Sequence, residues 1–183
     1  EMSDHVGLPL REGLIMTRNM LVGCGLKDEI RLAASGKVHS SVTLAMQFAL
    51  GADWCNAARA FMFSLGCIQS QKCHTDQCPT GVATTSEARQ RGLVVADKEL
   101  RVARFHQNTI RALRDIMTSA GIEDHRDFRP FHLRQRVSVA KMRNIDRVYE
   151  FVEPGALIED PDATKYARWW HMARADSFQP RQV

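Results

Sequence analysis

The chain reads as an α/β protein in which helices alternate with short strands on a parallel sheet, followed by a mostly helical and irregular tail. Three observations predict that class. Two runs of strand length, residues 30–34, apolar apart from Arg31, and 53–58, each end in a loop of small and charged residues. A segment of helical period precedes each run. The connections between them are short, as they are where strand, loop and helix repeat on a parallel sheet, and functional loops then lie at the carboxyl ends of the strands.

The elements follow in order. Behind Gly7-Leu8-Pro9, where Pro suits a first helical turn, Leu10, Leu14, Ile15, Met20 and Leu21 recur at helical spacing until Gly23 and Gly25 stop the helix. The strand at 30–34 runs into Ser35-Gly36-Lys37, a flexible turn that carries a cation. Ser40 or Ser41 caps the next helix, whose apolar face is Val42, Leu44, Ala45, Phe48 and Ala49 and whose stop is Gly51. The strand at 53–58 ends in Asn56-Ala57-Ala58-Arg59-Ala60, small residues that admit a ligand to the backbone beside a guanidinium suited to phosphate. On residues alone, Ser-Gly-Lys is equally a surface turn and Arg59 equally a structural ion-pair partner. Thr84 and Glu87 read as a capping box, and Asp97 opens a long helix with the apolar stripe Leu100, Ala103, Ile110, Leu113, Ile116 and Met117, closed by Gly121. His106 on that helix reads as a surface or packing residue. Beyond Ile122, prolines and glycines break the tail into short helical pieces, which Trp169 and Trp170 anchor.

At 183 residues and 44% hydrophobic the chain can bury a core. Its richest apolar run, residues 42–50, is interrupted by Thr43 and Gln47 and falls short of the ~18 residues of a membrane span. A soluble, cytoplasmic protein is therefore expected, with no membrane partner. The net charge of +4 is mild. Arg126, Arg129, Arg134, Arg136, Lys141, Arg143 and Arg147 gather in the last third, and without a nucleic-acid motif they read as a solvated helix face rather than a site for nucleic acid or an acidic protein.

Cys67, Cys73 and Cys78 lie within twelve residues in the pattern C-x5-C-x4-C, with Pro79 directly after the last. Thiolates converging from one short loop are ligands of iron-sulfur clusters, and a Pro there turns the chain away from the metal. Two other readings remain open on spacing alone. His74 completes a Cys3His set for zinc, although no C-x2-4-C knuckle is present. A disulfide is the third, in a chain whose cysteine count of five is odd. Cys24 and Cys55 stand apart and read as small buried apolar side chains.

The segments Gly7-Leu8-Pro9, Ser35-Gly36-Lys37, Leu50-Gly51-Ala52-Asp53 and Leu65-Gly66-Cys67 through Cys78-Pro79-Thr80-Gly81-Val82-Ala83-Thr84 together resemble the C-terminal part of the FMN-binding synthase domain of glutamate synthase, over residues 1–121. The resemblance implies the C-terminal portion of a TIM (β/α)8 barrel, with 30–34 and 53–58 as its last two strands, the cysteine loop at 66–84, and a tail at 122–183. It implies FMN, with Ser35, Gly36, Lys37, Ala58 and Arg59 at the phosphate, and a 3Fe-4S cluster held by Cys67, Cys73 and Cys78. The reaction implied is reductive formation of L-glutamate from 2-oxoglutarate and ammonia, free or glutamine-derived. Electrons would come from ferredoxin or a pyridine-nucleotide-linked subunit. The resemblance assigns no catalytic residue in this chain.

Two departures bear on that expectation. The family carries Lys where Asp4 precedes His5, and Trp-Glu where Leu10-Arg11 follows Pro9, which leaves a different acceptor or amino donor open. The nearest likeness is to shorter family members without a glutaminase domain. Two strands cannot close a barrel, and Glu1 stands where an initiator Met would. The chain is therefore expected to be a fragment of a longer enzyme, inactive alone, or else a remnant that pairs with other copies or with the missing barrel half.

Overall fold

A computed structural model describes residues 7–182, which divide into two compact units. Among these residues one comprises 7–33, 49–54 and 129–182; the other comprises Ala34–Phe48 and Cys55–Phe128. Asp4 and His5 lie outside the described residues.

The first unit is built on α1 (Leu10–Gly23), preceded by Pro9 at φ −55°. Leu14, Ile15, Asn19 and Gly23 form its buried face, at the spacing of one side of a helix. Its end is closed by Leu26 N donating to Leu21 O at 2.7 Å and Gly25 N to Val22 O at 3.0 Å, the paired bonds of a Schellman motif. Residues of the tail complete this unit. Val152, Leu157 and Tyr166 form a buried cluster on which Met16, Met20, Val22, Cys24, Ala156 and Trp170 pack. Gly23 lets Leu157 approach, since a Cβ there would lie 2.6 Å from Leu157 Cγ. Trp170 thus anchors the tail, whereas Trp169 is exposed.

Asn19, fully buried, uses its whole amide. Nδ2 donates to Glu150 O at 2.8 Å and to Tyr166 Oη at 2.7 Å, and Oδ1 accepts from Val152 N at 3.4 Å. A buried amide left unpaired is costly, so these bonds tie the tail to one position along α1.

Residues expected to open the first strand do not extend. Glu29 N and Ile30 N both donate to Leu26 O, making a turn. The Asp53 carboxylate then receives Lys27 Nζ at 2.9 Å, Leu32 N at 2.7 Å and Arg31 Nη1 at 3.4 Å. Pinned in this way, the strand forms only over β1 (Ala33–Ser35).

The second unit contains most of β1 and of β2 (Trp54–Asn56), which are hydrogen-bonded neighbours in a two-stranded sheet. Between them in sequence runs α2 (Ser41–Ala49), where Ser40 Oγ accepts from Thr43 N at 3.3 Å and so supplies the expected cap. The strand predicted at 53–58 is shorter because helix starts early: Ala57 is already the N-cap of α3 (Ala58–Leu65). Further on come α4 (Glu87–Gln90) and the 25-residue α5 (Val95–Ser119), with Asp97 in its first turn as expected. Phe61 of α3 meets Phe105 of α5 edge-on at 5.2 Å. Of the predicted α5 stripe only Leu113 is deeply buried, and Leu100 is exposed.

The arginine-rich stretch of the first unit is not a helix face. It forms an antiparallel hairpin of β3 (Arg134–Ser138) and β4 (Lys141–Asn144), followed by the short helices α6 (Ala156–Glu159) and α7 (Ala167–Met172). No helix among the described residues is long and apolar enough to cross a membrane.

Candidate functional site

Five of the predicted site residues lie just after the two strands of the small sheet. Ser35 ends β1, and Gly36 (φ 145°) and Lys37 (φ 52°) follow, all exposed. A left-handed lysine is uncommon, and with Gly36 it turns the chain so that the buried Val38 re-enters the core. After β2, Ala58 and Arg59 open α3 and are exposed. Ala57 offers no side-chain cap, so the first-turn amides of α3 lack a side-chain acceptor. Uncapped amides at the positive end of a helix, beside an exposed guanidinium, suit a phosphate.

The other end of α3 delivers the first cysteine. Gly66, at φ 106°, closes the helix, with Gly66 N donating to Phe63 O at 2.9 Å and Cys67 N to Met62 O at 3.0 Å. A side chain at this φ is strained, so glycine suits the position. Eight residues at helical rise place Cys67 about 12 Å from the uncapped amides. One short rigid element thus links the two sets of predicted site residues.

Beyond Cys67 the backbone is unusually bent. Gln69, Gln71 and Asp76 adopt φ of 55°, 57° and 60°, which accounts for three of the four left-handed non-glycine residues described. Cys73 starts a single 3-10 turn, Cys73–Thr75, and is exposed together with His74. Asp76 fastens the loop. Its carboxylate accepts Thr85 N at 2.5 Å and Thr85 Oγ1 at 2.7 Å, while its carbonyl accepts Thr84 Oγ1 at 2.7 Å and Arg89 Nη1 at 3.0 Å. The Thr85 hydroxyl, with the Thr85 amide, holds the Asp76 carboxyl below its usual range. Thr84 therefore serves Asp76 and does not cap α4, whose N-cap is Ser86 without a side-chain bond, so the expected capping box is not formed.

Cys78 is buried, with Sγ 3.4 Å from Thr80 Oγ1. The Thr80 hydroxyl first, then the amides of Ala83, Thr80 and Val82, pull its thiol down to about 7. Those amides belong to the Cys-Pro-Thr-Gly-Val-Ala turn. Gly81 (φ 75°) is required there because a Cβ would collide with the Arg89 carbonyl. By contrast, burial pushes the Cys55 thiol up to about 11. Cys24 packs with the apolar cluster of the first unit.

The three cysteines thus lie along one loop, and hydrogen-bond donors around Cys78 lower its thiol to about 7. No three His, Cys, Asp or Glu side chains among the described residues converge as a metal-binding group. The donor set is nonetheless that of a soft metal: three thiols in one loop, one of them already surrounded by N–H and O–H donors of the kind that tune iron-bound sulfur. Sequence reasoning missed Asp76, Thr80 and Thr85. The signal for Asp76 and Thr85 was an Asp followed eight residues later by paired threonines, which also fits an ordinary turn; none marked Thr80.

A family profile described as a conserved region in glutamate synthase matches residues 1–123. The chain is 37% identical over 153 residues to a glutamate synthase large subunit-like protein, YerD, of Bacillus subtilis, covering 83% of this chain and 29% of that protein. It is 31% identical over 119 residues to the archaeal glutamate synthase [NADPH] of Methanocaldococcus jannaschii, covering 65% and 23%. It is 36% identical over 83 residues to ferredoxin-dependent glutamate synthase 1 of Arabidopsis thaliana, covering 45% and 5%. The chain spans less than a third of the length of each of these relatives.

Proposed function

The chain belongs to the glutamate synthase family, and from that premise we propose that it forms the phosphate-binding and cluster-bearing part of an FMN- and iron-sulfur-dependent oxidoreductase. The reaction proposed is reductive amination of 2-oxoglutarate to L-glutamate with ammonia as donor. In this reading β1 and β2 are the last two strands of a (β/α)8 barrel whose other strands lie elsewhere in a longer enzyme. Relatives named as ferredoxin-dependent and as NADPH enzymes support either ferredoxin or a pyridine-nucleotide-linked subunit as the electron source.

The observation that carries this reading is the placement of α3 between two chemistries. Its uncapped N-terminal amides, with Arg59 and the Gly36-Lys37 turn, would bind and orient the FMN phosphate. Its C-terminal end presents Cys67 to the loop where Cys73 and Cys78 would complete the ligands of a 3Fe-4S cluster. When bound, FMN supplies hydride chemistry and the cluster supplies one-electron transfer. The residues of this chain hold and position. Cys78 would be one of the cluster's ligands, its thiol lowered to about 7; Thr80 and the amides of the following turn stabilise negative charge on its sulfur, and Asp76 fastens the loop.

Arg59→Ala in the complete enzyme tests the phosphate assignment. Loss of one charged hydrogen-bond donor is worth about 1.5–3 kcal/mol, so FMN retention should weaken by roughly tenfold or more. Unchanged flavin content after gel filtration would remove Arg59 from the site.

A further inference from the structure

The β3–β4 hairpin combines three features that the reading above does not use. First, it is strongly basic: Arg134, Arg136, Lys141 and Arg143 lie on it, and no Asp or Glu occurs anywhere in residues 128–145. All four are exposed, and among the described residues no carboxylate pairs with any of them. Arg136 instead donates to Val139 O at 2.7 Å, across its own turn. Second, apolar side chains stand exposed between the charges. Val137 and Met142 are open to solvent, and Val139 is 92% exposed. Third, among the described residues each strand pairs with the other alone, so the hairpin has two strand edges.

The register shows what these features fit together. Arg136 faces Met142 and Arg134 faces Asn144, which places Arg134, Arg136 and Met142 on one face of the hairpin. Arg143, opposite Gln135, and Lys141 lie on the other face. Along β4, basic positions therefore alternate with the apolar Met142. A bulge between Arg136 and Ser138 places Val137 out of the regular pairing beside the two arginines of β3. An extended segment added at the β4 edge would find Lys141 and Arg143 on one of its faces and Met142 on the other, and at the β3 edge it would meet Arg134 and Arg136 with Val137 beside them.

We propose that this hairpin docks an acidic polypeptide segment by strand addition, and that the segment alternates acidic and apolar residues. Ladder hydrogen bonds would supply affinity, and opposite-charge cross-strand pairs with Arg134, Arg136, Lys141 and Arg143 would supply selectivity. Nucleic acid would use the cations but leave Val137, Val139 and Met142 in water and the strand edges unpaired.

Fluorescence anisotropy tests this on the full chain, with a labelled peptide of about ten residues alternating Glu and Val. Binding is expected at low ionic strength, weakening as salt is raised. The same peptide N-methylated at alternate amides should bind at least roughly tenfold more weakly, because the ladder bonds are blocked. The double variant R136E/R143E, both sites exposed, should lose binding by a similar factor while its circular dichroism is unchanged. No binding, equal binding of the N-methylated peptide, unaltered binding by the double variant, or tighter binding of oligothymidylate or anionic lipid vesicles would each overturn the proposal.

Discussion

At the scale of single residues the cysteine loop depends on two carriers of negative charge, Asp76 and Cys78. The folded Asp76 carboxyl ionises below its unfolded value, so its contribution is present above the ordinary carboxylate range and is lost as pH falls through the folded value. The loop should therefore stay fastened at neutral pH and loosen in acid. Asp76→Ala should produce the same loosening at neutral pH, seen as faster amide exchange at Thr85 and faster alkylation of Cys78. Unchanged exchange at Thr85 would show that the bonds from Thr85 do not hold the loop. Cys78 follows the same sign: a thiol depressed to about 7 favours the folded turn above the unfolded thiol range, an advantage lost as pH falls through about 7. Thr80→Val removes the first of its stabilising donors. The alkylation profile of Cys78 should then shift to higher pH, and an unmoved profile would assign the depression to the backbone amides alone.

At the scale of elements, α1 shows how the tail is held. Asn19→Ala leaves Tyr166 Oη, Glu150 O and Val152 N without their buried partner, a loss of about 1–3 kcal/mol per unsatisfied group, readable in urea unfolding. Gly23→Ala drives a methyl into Leu157 and should cost about 1–3 kcal/mol despite the better helix propensity of Ala. Elements with strong period were legible in the sequence. The helices at 10–23, 41–49 and 95–119 follow from apolar spacing, and their stops and caps from Gly25, Gly51 and Ser40. The strands were legible only as neighbourhoods. Residues 30–34 have strand composition, but Asp53 gathers Lys27, Arg31 and Leu32 into a turn, a long-range contact that no local pattern announces. The basic hairpin was read as a helix face because charged residues dominate it and its pairing comes from β4 alone. In the candidate site the cysteines and the two post-strand loops were legible by type and spacing. Asp76 and Thr80 were not, because their roles come from hydrogen bonds to Thr84, Thr85 and Arg89 and to Cys78 across an irregular turn that no residue type demands.

At the scale of the whole molecule, family membership and the geometry around α3 support the proposed division of labour. One end of that helix is suited to an anion, the other begins a thiol loop, and α5 braces it through Phe61 and Phe105. The chain spans less than a third of the relatives it matches, and on the proposed reading the rest of the barrel and the substrate pocket lie outside it. The isolated chain should accordingly form no glutamate from 2-oxoglutarate and ammonia, and turnover by it would contradict that division. The most direct measurement is anaerobic reconstitution of the chain with iron and sulfide, followed by gel filtration, absorption spectroscopy and metal analysis of the wild type and of Cys67→Ser, Cys73→Ser and Cys78→Ser. Retained iron and sulfide with a broad visible absorption band, lost in each of the three variants, is the predicted result; a colourless wild type that holds zinc without sulfide, or colour that persists in the variants, would contradict it.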